Sequence, residues 1–255
     1  MFPTEILFYI ALGFAAQLVD GALGMAYGLI ATSVLLASGT PPALASASVH
    51  AAEIVTTGLA GASHVWNRNI DWKLFRRLAP AGVAGGVIGA YLLVGLPENW
   101  VKVFITVYLI GIAIMIAYRI FKNEKKKKRA AERERTLPTI PLGAAGGFLD
   151  AIGGGGWGPL VTSTLIARGD QPRQSIGSVT LSEFFLTLSI SLTFLAALDF
   201  SKYWLVVLGL VIGGALGAPL AGILSRVLPP RVLMIMVAIV VTALGIHNLV
   251  RLATG

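Results

Sequence analysis

Shifted by 130 positions, the chain matches itself. Gly13 falls on Gly143, Asp20 on Asp150, Gly24 on Gly154, Gly28 on Gly158 and Thr32-Ser33 on Thr162-Ser163. Pro42 falls on Pro172, Ser48-Val49 on Ser178-Val179 and Glu53 on Glu183. At a shift of 128, Asp71 meets Asp199, Gly85-Gly86 meets Gly213-Gly214, and Gly89-Ala90 meets Gly217-Ala218. Glycine and alanine coincide by chance between apolar helices. Two Asp and two Glu kept at one spacing do not, so the fold must be one unit used twice.

Each unit holds five apolar runs. They lie at about 5–22, 27–38, 43–65, 74–95 and 100–120, then 139–152, 157–167, 174–197, 203–224 and 231–250. Apolar residues make up 56% of the 255 and charged ones 13%, about half the share in a soluble domain, which excludes a soluble globular domain and a disordered chain alike. A helix needs roughly 20 apolar residues to cross the hydrocarbon core. The runs at 27–38, 139–152 and 157–167 fall short, and the pairs one–two and six–seven each meet at a glycine cluster. Broken or re-entrant helices are expected there, with two complete crossings as the equal alternative. An odd number of segments per unit turns the second unit upside down. The expectation is an all-α polytopic membrane protein of two inverted repeats, 1–121 and 138–255, joined by a linker, 122–137.

The net charge of +8 invites a nucleic-acid reading, but nine cations and three Glu between Arg119 and Arg135 supply +6 of it. Loops 66–77, 168–173 and 225–231 are cation-rich as well, and loops 39–42, 96–102 and 198–202 are not. All the basic loops fall on one side, which the positive-inside rule makes cytoplasmic, with both termini outside the cell membrane. No nucleic-acid partner is expected; the lipid bilayer is. There is no cysteine, hence no disulfide framework and no thiolate metal site. The N-terminus lacks a positively charged n-region, so the first apolar run is read as retained.

The first repeat reads Asp20-Gly21-Ala22-Leu23-Gly24-Met25-Ala26-Tyr27-Gly28, and the second Asp150-Ala151-Ile152-Gly153-Gly154-Gly155-Gly156-Trp157-Gly158-Pro159. Five glycines in six residues break a helix, and Pro159 suits the first turn of a new one. New helices should begin near residues 27 and 157, with backbone N–H groups and the positive dipole end pointing into the protein, where they could hold an anion. Gly24, Tyr27, Gly28, Thr32 and Ser48 are the candidate ligands in the first repeat. Gly153, Gly154, Gly155, Gly156, Trp157, Gly158, Thr162 and Ser178 are those in the second. Gly85-Gly86-Gly89 and Gly213-Gly214-Gly217 are read as helix-packing positions instead.

Four acids lie within apolar runs: Asp20, Glu53, Asp150 and Glu183. Ionised, each would cost at least about 2.5–3.5 kcal/mol at the bilayer centre, so their retention points to function. Ser46, His50, Glu53 and Thr57 form a polar helical stripe, matched by Thr180, Glu183 and Thr187, and both stripes should face the centre. With no cation in sight, burial favours the protonated form of Glu53 and Glu183, and a proton moving with or against an anion follows as the coupling idea. For Asp20 and Asp150 an equal reading is that they accept hydrogen bonds from the glycine-rich turns. His50, with Thr180 in its place in the second repeat, is read as an auxiliary, hydrogen-bonded packing residue. No metal site or cofactor is expected: His50-x-x-Glu53 offers two ligands, too few for zinc. An intramembrane aspartyl protease would need a Gly-x-Gly-Asp context that neither Asp has. A passive channel is the other alternative.

The duplicated pattern, with Gly153–Leu160 opening the second half and Asp20–Gly28 the first, resembles the sulfite exporter TauE/SafE family, also called the toluene-sulfonate uptake permeases. The resemblance covers nearly the whole chain outside 122–137. It implies a multi-pass transporter of small sulfur-containing anions such as sulfite, sulfoacetate or other organosulfonates. The first repeat departs from the pattern, with Met25-Ala26-Tyr27 where the family is glycine-dense, so two unequal half-sites are expected. The sequence leaves the oligomeric state open, a homodimer among the options.

Overall fold

The computed structural model describes residues 5–23, 25–121, 138–167, 169–199, 203–227 and 230–254. Gly24, the linker 122–137, Arg168 and Lys202 lie outside them. The described residues form ten helices: α1 (Glu5–Leu23), α2 (Tyr27–Ala37), α3 (Pro42–Trp66), α4 (Trp72–Gly95), α5 (Glu98–Phe121), α6 (Thr139–Gly153), α7 (Gly158–Ala167), α8 (Pro172–Ala197), α9 (Trp204–Val227) and α10 (Pro230–Thr254). The first five residues of α7 are wound as a π-helix, opening at Pro159.

Spans over Trp72–Gly95, Glu98–Tyr118, Pro172–Ala197 and Trp204–Ala221 are long and apolar enough to cross a membrane. At 1.5 Å per residue, α2 and α7 reach only about 15–17 Å, half the hydrocarbon core, so neither crosses alone. Helix α3 is 25 residues long, but its stripe of Ser46, His50, Glu53 and Thr57 is buried. The exterior is the apolar part: Leu59, Tyr91, Val107, Ile114, Leu195 and Ile239 are all exposed. A surface so rich in large apolar side chains fits lipid. Trp66, Trp72, Trp100 and Trp204 are exposed at helix ends, as an interfacial belt requires.

The two repeats interlock. The first helix of each packs along the fourth helix of the other, α1 on α9 and α6 on α4; α3 pairs with α8 and α5 with α10. Glycine permits the first two crossings. A Cβ on Gly89 would stand 2.7 Å from the Phe148 carbonyl oxygen, and one on Gly217 would stand 2.9 Å from that of Phe14. Gly85 and Gly213 are tighter still against Ala144 and Ile10. These glycines set helix separation, as read from the sequence. At one end of the molecule the α3–α4 and α7–α8 loops meet: Arg173 Nη2 donates to Asn67 O (3.2 Å), and Ser178 Oγ accepts from the Asp71 N–H (2.8 Å). Two of the basic loops therefore share a face.

Candidate functional site

The two helix breaks touch. A Cβ on Gly28, in the first turn of α2, would stand 2.7 Å from both the Gly154 carbonyl oxygen and Gly155 Cα. Thr32 Oγ1 donates to Gly154 O at 2.6 Å. Gly154 (φ +66°) and Gly155 (φ +153°) occupy backbone regions that favour glycine, which is why this turn is written in glycine. In the first break Ala26 holds φ +150°, a strained value for a residue with a Cβ.

Each break is closed by a carboxylate. Asp20 Oδ1 accepts the Tyr27 N–H (3.2 Å) and Asp150 Oδ1 accepts the Trp157 N–H (2.8 Å), seven residues on in both cases. The hydrogen-bonding role weighed for the two Asp is thus present in the structure. It also changes the expected site, because these helix starts already hold a carboxyl group of the protein's own. The aromatic residue opening each helix is buried and anchored to distant backbone. Tyr27 Oη donates to Leu210 O (3.0 Å) and Trp157 Nε1 to Val179 O (3.1 Å). The Trp157 ring lies so close to α4 that a Cβ on Gly82 would stand 2.6 Å from it. Both residues therefore use their polar atoms as structural anchors.

Helix α3 ties the two halves together. His50 and Asp150 are buried, and His50 Nε2 lies 3.1 Å from Asp150 Oδ2. His50 Nδ1 is 2.7 Å from the Ser46 carbonyl oxygen, which can only accept, so Nδ1 carries a hydrogen. Ser46 Oγ donates to Ala151 O at 2.6 Å and steadies the same turn. Sequence reasoning read His50 as a hydrogen-bonded packing residue; the structure shows which partner it has, an acid in the other repeat. A residue missed altogether is Tyr108 of α5, whose hydroxyl donates to Gly155 O (3.0 Å) and whose ring lies against Gly153 and Gly156.

Where the breaks meet there is a cavity of about 10 Å³, lined by Asp20, Glu53, Asp150 and Glu183, with Tyr27, Gly28, Gly155, Gly156 and Gly158 around them. The acids from both repeats are thus brought together. Glu53 is buried and accepts from the Gly28 backbone. No Lys, Arg or His is among the lining residues, and the described residues contain no cluster of three metal-ligating side chains. Thr32 gives its hydroxyl to Gly154, and Thr162 is buried. Ser48 Oγ is buried without a partner among the described residues. Ser178 sits away from the cavity, its hydroxyl on the Asp71 backbone. Thr180 is partly buried on α8 and is not among the cavity-lining residues. Gly24 lies outside the described residues.

A model of the sulfite exporter TauE/SafE family matches residues 9–248. The chain belongs to that family. It is 39% identical over 238 residues to the probable membrane transporter protein YtnM of Bacillus subtilis (strain 168), covering 91% of this chain and 79% of YtnM. No solved structure matches. This TauE/SafE member is thus a multi-pass membrane protein whose duplicated motif places two helix breaks back to back. What the arrangement brings together is four carboxyl groups around one small space, one of them 3.1 Å from His50 Nε2.

Proposed function

We propose that this protein is a secondary exporter of small sulfur-containing anions, such as sulfite, sulfoacetate or another organosulfonate, coupled to protons. The family's name and that of YtnM support a transport role. The observation that carries the mechanism is the four-carboxylate cavity without a cation. Two unit charges 4 Å apart repel by about 4 kcal/mol at an effective dielectric of 20. An oxyanion cannot share that space with ionised carboxylates. It can share it with carboxyl groups, which turn from repelling charges into hydrogen-bond donors. Loading the anion and loading protons are then one event.

A volume of about 10 Å³ is roughly that of one water centre, so the cavity is closed to any sulfur oxyanion. Binding requires the α1–α2 and α6–α7 breaks to separate toward one face, then the other. The repeats, inverted and joined by a basic cytoplasmic linker with both termini outside the cell membrane, supply the two equivalent openings. Ser48, Thr162 and the glycine N–H groups are the donors that opening exposes.

Flux of labelled sulfite and organosulfonates into proteoliposomes, with and without an imposed pH gradient, tests this. Accumulation beyond the anion's own electrochemical equilibrium, driven by the pH gradient, is expected. Flux that only equilibrates the anion indicates a passive channel and overturns the coupling. Glu183→Gln should lose the pH dependence of transport while keeping substrate binding within about threefold.

A further inference from the structure

On the face where the two basic loops meet, a second cavity of about 200 Å³ opens among the starts of three helices. Its lining includes Lys73 and Arg77 of α4, Thr139 of α6, and Gln174 and Ser175 of α8. We propose that this cleft is an oxyanion-binding vestibule, taking one sulfate- or phosphate-sized group outside the carboxylate cavity.

Two independent observations meet there. The first is electrostatic. Asp71, on the rim, turns its carboxylate back to cap α4, accepting the Lys73 and Leu74 N–H groups at 2.9 and 3.1 Å. Neither α6 nor α8 has a side-chain cap: the capping positions are held by Pro138 and Gln171, and neither makes the bond. Their positive dipole ends add to the Lys73 and Arg77 charges. Asp170, also on the rim, opposes them and makes a contact of its own. The second observation is Ser175. It is 1% exposed and lines the cleft, and its hydroxyl has no hydrogen-bond partner among the described residues. A buried hydroxyl left unpaired is costly, and an acceptor oxygen in the cleft would satisfy it.

The duplication supplies a control. The positions that match Arg77, Thr139, Asp170, Gln171, Gln174 and Ser175 in the other repeat are Leu205, Tyr9, Thr40, Pro41, Leu44 and Ala45. No cation and no buried hydroxyl stands at the counterparts of Arg77 and Ser175. Folding the repeat therefore does not require a cation at Arg77 or a hydroxyl at Ser175.

The same chemistry serves a dissolved oxyanion and a lipid headgroup phosphate, and the test separates them. The chain has no cysteine, so Ser175→Cys gives a single thiol in the full-length protein. Its modification by a small thiol reagent is followed in lipid-free detergent with sodium sulfate or inorganic phosphate against sodium chloride of matched ionic strength, and in nanodiscs with or without phosphatidylglycerol. Saturable protection by sulfate or phosphate, weakened at least about tenfold by adding Lys73→Gln and Arg77→Gln, supports the vestibule with a dissolved oxyanion as occupant. Protection only from phosphatidylglycerol, lost in the same charge variants, supports it with a headgroup as occupant. Equal labelling under all conditions, or protection untouched by the charge variants, overturns it. Thermal stabilisation of the parent by sulfate, weakened about threefold in apparent affinity by Ser175→Ala, checks it without a cysteine. Glu183→Gln should leave this stabilisation intact.

Discussion

The two helix breaks share a skeleton and differ in their chemistry. In both, an Asp accepts the N–H seven residues on, and an aromatic residue pins the next helix to a distant carbonyl. Among the described residues only the second carboxylate also meets a histidine, and only the second turn is roofed by a tyrosine. The backbone hydrogen bonds that let a helix stop inside a membrane are needed twice, because an unpaired amide there costs several kcal/mol in either repeat. The contact between His50 and Asp150 is made in one half among the described residues. Duplication supplied the scaffold, and divergence placed a histidine beside one of the two acids.

The sharpest way to break that comparison is to neutralise the two Asp separately. Asp150→Asn can still accept the Trp157 N–H through Oδ1 and can donate from its amide to His50 Nε2, so it keeps the geometry and removes only the carboxyl that the proposed coupling uses. Proteoliposome flux should fall at least about thirtyfold, whereas Asp20→Asn should stay within about fivefold. Equal losses would show that the asymmetry has no functional weight. Next in size is Gly156→Ala, whose Cβ would collide with the Tyr108 hydroxyl. Overpacking of that kind costs about 1–3 kcal/mol, read as a lower unfolding temperature in detergent. Tyr108→Phe in the same chain should return part of it. Removing the anchors should cost less: Tyr27→Phe leaves the Leu210 carbonyl without its donor, at about 1 kcal/mol. Trp157→Phe should cost more than Tyr27→Phe, since ring volume against Gly82 goes with the N–H. The smallest effect should have the opposite sign. Ala26→Gly relieves a positive φ and should be neutral or stabilising by up to about 1 kcal/mol.

Helix number, the helix breaks and the gathering of four acids were all legible in the sequence, each for a physical reason. Apolar runs of fixed length specify helices in lipid, glycine followed by Pro159 stops and restarts one, and acids at matched positions of a duplicated unit face the same centre. Contacts across the repeats were not legible. His50 and Asp150 are 100 residues apart, and nothing in the stripe Ser46–Thr57 says which residue of α6 it will meet. Tyr108 stands alone in an apolar helix with no periodic signal to mark it. The N–H groups of Tyr27 and Trp157, expected to be free, and the Ser178 hydroxyl all have partners within the chain, for one reason: a polar group in a dry interior takes the nearest partner it finds. That partner was a carboxylate at Tyr27 and Trp157 and the Asp71 backbone at Ser178.

The size of the central cavity has a further consequence. Protons cross a membrane quickly along an unbroken file of hydrogen-bonded waters, and a space of about 10 Å³ holds at most one such molecule. In this closed form the cavity offers no such file. Under the proposed coupling, that closure keeps the driving gradient from leaking through water at the place where the two breaks meet.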